Sequence, residues 1–290
     1  MTIQETVDQC TSLFESRKVE SPRLSAELLV AYATTLTRAQ VLSQGSRPLT
    51  RPEDSRLQAA VQRRAKNEPI PYILGEVEFY SISFSIANGV FIPRPETETL
   101  VDAALALAKK LPEPPKVFDL GTGCGNIVIS MALNLDDGEF WAGDISNTAI
   151  QVASNNIRKH DLQNYVDVRE GARFAPLRKD LVRNFDLIVS NPPYIKTNDV
   201  AKLPPQIKDF EPVIALDGGR DGMTFIRTLI EEAAPILKPG GYVLIEADPT
   251  LMITIRTEIR RNQIYEDFTI HKDASGLERV VQFRVRGGIS

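Results

Sequence analysis

The stretch FDLIVSNPPY, residues 185–194, decides the fold of this chain. Its first half, Phe185 to Val189, is a short and almost continuous apolar run, which is typical of a buried strand in a parallel sheet. Its second half, Asn191 to Tyr194, follows directly and is polar and proline-rich. In open α/β sheets, ligands bind in the crevice outside the carboxyl ends of the strands. We therefore expect Asn191 to Tyr194 to lie at such a crevice.

The residue types in Asn191-Pro192-Pro193-Tyr194 suit a planar NH2 group. The asparagine side-chain oxygen can accept one hydrogen of a substrate amino group, and the carbonyl of Pro192 can accept the other. Consecutive prolines hold the backbone stiff and have no N–H to compete for the site. Tyr194 offers a flat apolar face that can stack on a conjugated plane. The alternative is a proline-rich turn, but the asparagine, the aromatic residue and the preceding buried strand together favour a binding site.

A glycine loop follows the apolar run Val117 to Leu120 and consists of Gly121, Thr122, Gly123, Cys124 and Gly125. Alternate glycines let the backbone approach a ligand near the N–H groups of the next helix. The spacing differs from that of dinucleotide sites, and no phosphate-binding lysine follows it. The next strand ends at Asp144, whose carboxylate can take both hydroxyls of a ribose; the alternative is a helix N-cap. These features indicate a nucleoside-bearing ligand without phosphates, as S-adenosylmethionine is.

Residues 1–72 show helical apolar periodicity, which predicts a small helical bundle. Thr50 with Glu53 forms a capping-box pattern, and Ser21 with Pro22 predicts a capped helix start.

Residues 73–94 predict a β-hairpin linker, because the alternating segment 81–86 is followed by Asn88-Gly89 and a second apolar segment at 90–92. Helical and strand patterns then alternate over residues 95–290 and close with an antiparallel pair. This part is predicted to be an α/β domain with a doubly wound, mostly parallel sheet.

Composition and charge exclude some classes of function. The 290 residues include 34 basic and 38 acidic ones, for a formal net charge of -4, which argues against binding nucleic acid by phosphate neutralisation. Cys10 and Cys124 are far apart, and neither they nor His160 and His271 have partners at metal-ligand spacing, so we predict no metal site. The first residues include acidic side chains and no long apolar run, and we expect a cytoplasmic protein without a membrane partner.

Several motifs resemble those of known families. The glycine loop, Asp144 and NPPY together resemble the class I S-adenosylmethionine-dependent methyltransferases that modify planar amino groups. Four further segments are similar to those of the release factor glutamine methyltransferases: PYILGEVEFY at 71–80, FIPRPETETLV at 91–101, ALDGGRDG at 215–222 and KDASGLERVV at 272–281. The resemblance covers nearly the full length of the chain.

The resemblance implies a class I fold with a seven-stranded sheet and a helical substrate-docking domain at the N-terminus. It implies methyl transfer from S-adenosylmethionine, leaving S-adenosylhomocysteine, to the side-chain amide nitrogen of the glutamine in the Gly-Gly-Gln motif of peptide chain release factors. The residues from Gly121 to Gly125 and Asp144 would bind the cofactor, and Asn191 to Tyr194 would hold the glutamine. Asn191 and Pro192 would be the catalytic groups, and Asn191 would also border the cofactor. We expect a monomer.

One stretch departs from the family pattern. Where an acidic residue usually lies near the adenine, this chain has Gly171-Ala172-Arg173-Phe174, and we expect Arg173 or Phe174 to cover the ring instead. The charged residues of RPETE, 94–98, either line the mouth of the site or simply favour the first turn of a helix.

Alternative functions stay open. An adenine or cytosine amino group would suit the same pocket, although a nucleic-acid methyltransferase needs a basic groove and usually an element that extrudes the base. The glutamine could belong to a ribosomal protein, or the chain could bind the cofactor without catalysis.

Overall fold

The computed structural model describes residues 1–175, 177 and 184–287, and the chain separates into two compact units. The first unit comprises Met1–Glu76 together with Pro204–Phe210, and the second comprises Val77–Leu203 and Glu211–Ser290. The segment Pro204–Phe210 thus groups with the helical part of the chain, although it is distant from that part in sequence.

The first unit is a bundle of helices with its own apolar core. The helices of residues 1–76 are α1 (Ile3–Ser16), α2 (Pro22–Thr34), α3 (Arg38–Ser43), α4 (Arg51–Arg64) and α5 (Ile70–Leu74). The predicted capping box of Thr50 and Glu53 is confirmed. As predicted, Ser21 is the N-cap residue of α2 and Pro22 its first helical residue, but the Ser21 backbone is left-handed, with φ of 49°, and its side chain makes no capping hydrogen bond.

A two-stranded hairpin follows the helices of residues 1–76 in sequence, but its strands differ from the prediction. Strand β1 (Glu76–Phe79) pairs with β2 (Ile82–Ser85), and residues 90–92 are not a strand. Tyr80 and Ser81 join the strands with φ of 54° and 57°, the left-handed conformation that a two-residue hairpin turn requires. Asn88-Gly89 forms a turn after the hairpin rather than within it.

The main sheet has seven strands in the order β5-β4-β3-β6-β7-β9-β8, and the five from β5 to β7 are parallel. The predicted seven-stranded, mostly parallel sheet is confirmed. The strands are β3 (Lys116–Leu120), β4 (Glu139–Asp144), β5 (Val166–Glu170), β6 (Phe185–Ser190), β7 (Leu237–Glu246), β8 (Tyr265–Lys272) and β9 (Glu278–Val285). The helices of the remaining chain are α6 (Glu98–Ala108), α7 (Asn126–Leu133), α8 (Asn147–Lys159), α9 (Thr197–Val200), α10 (Pro205–Lys208), α11 (Thr224–Glu232) and α12 (Met252–Arg261).

The strand order reverses between β3 and β6, which creates the crevice that positions the site. The chain proceeds from β3 outward to β4 and β5, then returns to place β6 on the other side of β3. The two strands are in parallel register, with Phe118 opposite Ile188 and Asp119 opposite Val189. Ligands bind at such a topological switch point in doubly wound sheets. The loops after β3 and β6 are therefore expected to bind the ligands.

Across the described ranges, no helix combines the length and apolar character needed to cross a membrane.

Candidate active site

The structure brings the glycine loop and the NPPY motif to the same edge of the sheet. Both follow directly from the carboxyl ends of β3 and β6. The ends of these strands are tied together, since the Ser190 hydroxyl donates to the Leu120 carbonyl at 2.7 Å. Two motifs separated by many residues in sequence thus become neighbours through one strand pairing.

The backbone of the glycine loop has the shape of a ligand cradle. Gly121, Gly123 and Gly125 have φ of 78°, 57° and 85°, which glycine adopts without strain. A Cβ atom built on Gly121 or Gly123 would meet no atom within 4 Å, so these two residues border open space. At Gly125 it would lie 3.1 Å from Ile129 and 3.4 Å from Ala153, so this glycine lets the helices approach closely.

The side chains of Thr122 and Cys124 point into the protein. The Thr122 hydroxyl donates to Oδ2 of Asp119 at 2.7 Å, and both residues are buried. Burial raises the pKa of the Cys124 thiol to about 12, so it is protonated at neutral pH. Within this loop the backbone, rather than these two side chains, is available to a ligand.

Asp119, which the sequence analysis did not single out, is a buried carboxyl at the base of this loop. Its Oδ2 accepts from Thr122 and from the Val128 N–H at 3.3 Å, whereas Oδ1 has no hydrogen-bond partner among the described residues. Burial raises its pKa to about 7, against the effect of these hydrogen bonds. An acid inside the apolar run VFDL is the signal that could have identified it, because an acid is almost never fully buried unless it is paired.

Asp144 at the end of β4 is joined to the glycine loop. Its two oxygens accept the backbone N–H groups of Gly123 and Ser146, each at 2.9 Å. Ser146, not Asp144, is the N-cap of α8, so the alternative reading of Asp144 as a cap is wrong. Burial raises the pKa of Asp144, partly offset by those backbone hydrogen bonds. Each oxygen keeps a lone pair that can accept from a ligand.

Arg173 and Phe174, the two residues expected to cover the adenine ring, lie in different environments. The Phe174 ring lies in the core with its centroid 5.8 Å from that of Phe118. The Arg173 side chain is half exposed and forms an ion pair with Glu232 on α11. The structure therefore joins Arg173 to α11, and none of its hydrogen bonds among the described residues links it to the glycine loop.

In the NPPY motif, the amide nitrogen of Asn191 bonds to another residue of the protein, and the amide oxygen is left for a ligand. Its Nδ2 donates to the Thr97 hydroxyl at 3.1 Å. Pro192 is buried, and no backbone N–H among the described residues donates to its carbonyl. The Tyr194 hydroxyl donates to Oε1 of Glu246 at 3.3 Å, and burial raises the pKa of Tyr194.

The loop ALDGGRDG forms a close-fitting support for NPPY. Gly218 donates its N–H to the Ile195 carbonyl at 2.7 Å. A Cβ atom on Gly218 would lie 2.7 Å from the Tyr194 Cα and 2.8 Å from the Pro193 carbonyl oxygen. On Gly222 it would lie 2.5 Å from the Tyr194 carbonyl oxygen. Two of the glycines in this motif are therefore required by close contact with the backbone that carries the predicted substrate site.

Two further buried groups complete the site. Thr97, in a 3-10 turn before α6, and Glu246, the last residue of β7, are each 1% exposed. Burial raises the pKa of the Glu246 carboxyl to about 7, against the lowering effect of the neighbouring Thr97 and Tyr194 side chains. Oε2 of Glu246 has no hydrogen-bond partner in the described part of the chain.

The charged residues of RPETE divide between structure and surface. Arg94 forms an ion pair with the buried Glu211 and lies 4.7 Å from the centroid of the Phe91 ring. Glu96 and Glu98 line a pocket of about 760 Å³ beside α6, opposite the turn that joins β8 to β9. Arg94 therefore holds its segment to the sheet domain, Glu96 is exposed to this pocket, and Glu98 accepts the Tyr80 N–H at 2.8 Å. No metal-binding group of three or more His, Cys, Asp or Glu occurs among the described residues.

Comparisons with known proteins agree with this architecture. The model of the PrmC N-terminal domain matches residues 5–75, and that of the methyltransferase small domain matches residues 82–204. The release factor glutamine methyltransferase of Geobacter sulfurreducens is 36% identical over 98% of this chain and 97% of its own length. That of Koribacter versatilis is 37% identical, over 97% and 98% respectively.

Among solved structures, the T. thermophilus 16S rRNA methyltransferase RsmC, in complex with AdoMet and guanosine, shares the fold. Its TM-score is 0.53 at 19% sequence identity, covering 73% of this chain and 50% of that one. The full-length likeness to curated relatives, the two matching domain models and the shared fold confirm the resemblance inferred from the motifs. The chain belongs to the release factor glutamine methyltransferase family.

Proposed function

We propose that this protein transfers a methyl group from S-adenosylmethionine to the side-chain amide nitrogen of the glutamine in the Gly-Gly-Gln motif of peptide chain release factors. The observation that carries the proposal is the division of the Asn191 amide: its nitrogen is held by Thr97, which leaves Oδ1 to accept a substrate N–H. This acceptor lies at the switch point of a methyltransferase fold. The names of the full-length relatives point to glutamine in release factors as the substrate.

The residues of the glycine loop fit S-adenosylmethionine. Gly121 and Gly123 border space that a Cβ atom would enter without meeting another atom, and Asp144 has lone pairs for the ribose hydroxyls. The bound cofactor supplies an electrophilic methyl group on a sulfonium. Of the other predicted cofactor residues, Asn191 borders the same edge of the sheet, and Arg173 is proposed as a contact near the adenine only if it leaves Glu232.

The chain's own contribution to methyl transfer is alignment and electrostatics. An amide nitrogen is a poor nucleophile because its lone pair is delocalised into the carbonyl. Accepting its two hydrogens on Asn191 Oδ1 and the Pro192 carbonyl would draw electron density toward the nitrogen and point its face at the methyl group. The Tyr194 hydroxyl donates to Glu246, which holds the ring in place. Stacking of the substrate amide plane on this ring would further restrict the orientation of the amide. No side-chain base is required, because the methylated nitrogen becomes acidic once it carries the positive charge.

The proposal is tested by incubating the protein with methyl-labelled S-adenosylmethionine and a recombinant release factor, followed by mass analysis of the peptide that contains Gly-Gly-Gln. Asn191→Ala should reduce turnover on the order of 100-fold or more, as for loss of one preorganised polar group. Its affinity for S-adenosylmethionine should stay within a few-fold. The matched control is Asn164→Ala, which makes the same change at an exposed turn.

Three results would contradict the proposal. The first is label on a release factor whose loop glutamine has been replaced by alanine. The second is label on duplex DNA, bulk RNA or a ribosomal protein in place of the release factor, which would reassign the substrate. The third is near-normal turnover by Asn191→Ala, which would leave the substrate class intact but remove the role of this residue.

The helical unit is proposed to dock the release factor. It has its own apolar core and matches the PrmC N-terminal domain as a separate model. A second docking surface raises the effective concentration of the substrate loop at the active site. A short Gly-Gly-Gln peptide should therefore show a lower kcat/KM than the folded release factor. Equal kcat/KM for the two substrates would exclude a docking role.

A further inference from the structure

One polar side chain interrupts the buried face of helix α8. The buried residues of this helix are Ala149, Val152, Ala153, Asn156 and Ile157, and Asn156 is fully buried. An asparagine amide carries two donor hydrogens and an acceptor oxygen, and a buried polar group without a partner is costly. Asn156 therefore requires hydrogen-bond partners within the protein. None of the sequence motifs that indicate ligand binding includes it.

Both ends of the Asn156 amide are hydrogen-bonded, and they join two separate segments. Its Nδ2 donates to the carbonyl of Ser85 at 2.9 Å and to the carbonyl of Cys124 at 2.8 Å. Its Oδ1 accepts the N–H of Ser85 at 2.7 Å. Ser85 ends strand β2 of the hairpin, and Cys124 lies in the glycine loop. One side chain thus links the hairpin to the loop that is proposed to bind the cofactor.

The chemistry of these partners allows only one orientation of the amide. The two backbone carbonyls can only accept, and the Ser85 N–H can only donate. A flipped amide would place its oxygen against two carbonyl oxygens and its NH2 group against the N–H of Ser85. The partners therefore determine the orientation of Asn156, and both hydrogens of its NH2 group are used within the fold.

The hydrogen bond to Cys124 completes the support of the glycine loop. Strand β4 holds the first half of the loop, through the carbonyl of Gly143 and the carboxylate of Asp144. The peptide unit between Cys124 and Gly125 is held at both ends, since its N–H donates within the loop at 2.9 Å and its carbonyl accepts from Asn156. Removal of Asn156 leaves this peptide unit with one hydrogen bond. Its orientation is then less restricted and must be regained when a ligand binds.

We propose that Asn156 is a positioning residue that preforms the cofactor loop and couples it to the β1–β2 hairpin. The inference rests on the proposed function, because it takes the glycine loop as the site of S-adenosylmethionine. Since Asn156 is fully buried, it acts through the Cys124 carbonyl and not by contact with the cofactor. A loop that is already ordered binds its ligand more tightly, because the cost of ordering it is avoided. A cofactor that orders the loop also restricts Asn156, and through it the backbone of Ser85.

The first test measures S-adenosylmethionine affinity by calorimetry in three variants of α8. Asn156→Ala should weaken binding by about 10-fold, roughly the value of one hydrogen bond, with an unchanged KM for the release factor. Asn155→Ala, the same change at the exposed neighbouring position, is the matched control and should keep wild-type affinity. His160→Ala removes a contact of 2.9 Å between its Nε2 and the Ser83 carbonyl in the hairpin. It should also keep wild-type affinity, because His160 loosens the hairpin without reaching the glycine loop.

The second test follows the hydrogen exchange of single backbone amides by NMR in the wild-type protein. The Ser85 N–H donates to Asn156, whereas the Tyr80 N–H in the same hairpin donates to Oε1 of Glu98 at 2.8 Å. S-adenosylmethionine should therefore slow the exchange of the Ser85 amide more than that of the Tyr80 amide. In Asn156→Ala this difference should disappear, because the link between the loop and the hairpin is lost.

The outcomes separate the positioning role from the proposed function. If the wild type does not bind S-adenosylmethionine, the cofactor assignment fails and the positioning role fails with it. If it binds the cofactor but leaves the release factor unlabelled, only the substrate assignment fails, and the two tests still decide the positioning role. That role is overturned when Asn156→Ala keeps wild-type affinity, when His160→Ala loses as much affinity, or when Ser85 and Tyr80 respond equally in the wild type. Should Asn156→Ala not fold, the exchange measurement on the wild type decides.

Discussion

Substituting Gly218 by alanine should displace the substrate motif without touching the cofactor loop. The backbone of Gly218 is not in the left-handed region, so the substitution acts through steric contact alone. The new Cβ would lie 2.7 Å from the Tyr194 Cα and 2.8 Å from the carbonyl oxygens of Pro193 and Gly222. All three neighbours are backbone atoms, which cannot move aside as the end of a flexible side chain can.

The size of the effect follows from these distances. To reach an ordinary contact of about 3.4 Å, the Tyr194 Cα must move away from Gly218 by roughly 0.7 Å, and the carbonyl of Pro193 by a similar amount. A misplacement of about 1 Å in a reacting group can cost on the order of 100-fold in rate. Overpacking in a fitted region costs about 1 to 3 kcal/mol of stability. We therefore expect kcat for release factor methylation to fall between about 10- and 100-fold, with a moderate loss of thermal stability.

The assay measures kcat and KM with the release factor, affinity for S-adenosylmethionine by calorimetry, and the melting temperature. Gly287→Ala is the matched control, because its Cβ would meet no atom within 4 Å and its backbone is not left-handed. The expected pattern is a loss of kcat with unchanged cofactor affinity. Normal kcat in Gly218→Ala would refute the view that this loop sets the position of NPPY, and an equal loss of cofactor affinity would show a general disruption of the domain instead.

Two further predictions concern the carboxyls of Asp144 and Asp119 near the glycine loop. Asp144→Ala should weaken S-adenosylmethionine binding by roughly 2 to 3 kcal/mol, since a charge-assisted contact to the ribose is lost; calorimetry showing unchanged affinity would contradict that contact. For Asp119, the folded-state pKa is raised from 3.8 to about 7, so the stabilisation is fully present below pH 3.8 and is lost as the pH rises through about 7. The free energy of unfolding of the wild type, from denaturant titrations, should therefore decrease between pH 5 and pH 8. Asp119→Asn should show a smaller decrease, and identical slopes for the two proteins would argue against a buried neutral Asp119.

The sheet and the two ligand loops could be predicted because their signals are local. A strand buried on both faces of a parallel sheet is a continuous apolar run, as in Phe185 to Val189. The NPPY residues that follow this run are also recognisable locally, because the prolines stiffen the backbone and the asparagine supplies an acceptor for an NH2 group. The hairpin was misplaced for the opposite reason. Asn88-Gly89 is a strong turn signal, but the turn that joins the strands is made by Tyr80 and Ser81, which are not typical residues for positive φ.

The groups that orient the motif could not be predicted, because no local pattern connects them to it. Thr97 lies in a turn before α6 and Glu246 ends β7; Thr97 meets Asn191 and Glu246 meets Tyr194 only through the tertiary arrangement of the second unit. A threonine followed by a glutamate near a helix start has an adequate local explanation as helix-terminus chemistry. A glutamate at the end of an apolar strand is equally consistent with a residue that reaches solvent. Both side chains are buried, so each is expected to have a hydrogen-bond partner within the protein. That burial is a property of the tertiary structure and not of the local sequence.

The two buried acids on the strands beside β6 show how the site divides its tasks. Asp119 on β3 supports the glycine loop through Thr122, and Glu246 on β7 holds the NPPY motif through the Tyr194 hydroxyl. In each case a side-chain hydroxyl, of Thr122 or of Tyr194, links the acid to the loop. The motif residues thus provide the groups proposed to meet the ligands, and the acids one strand away hold the loops that carry these residues.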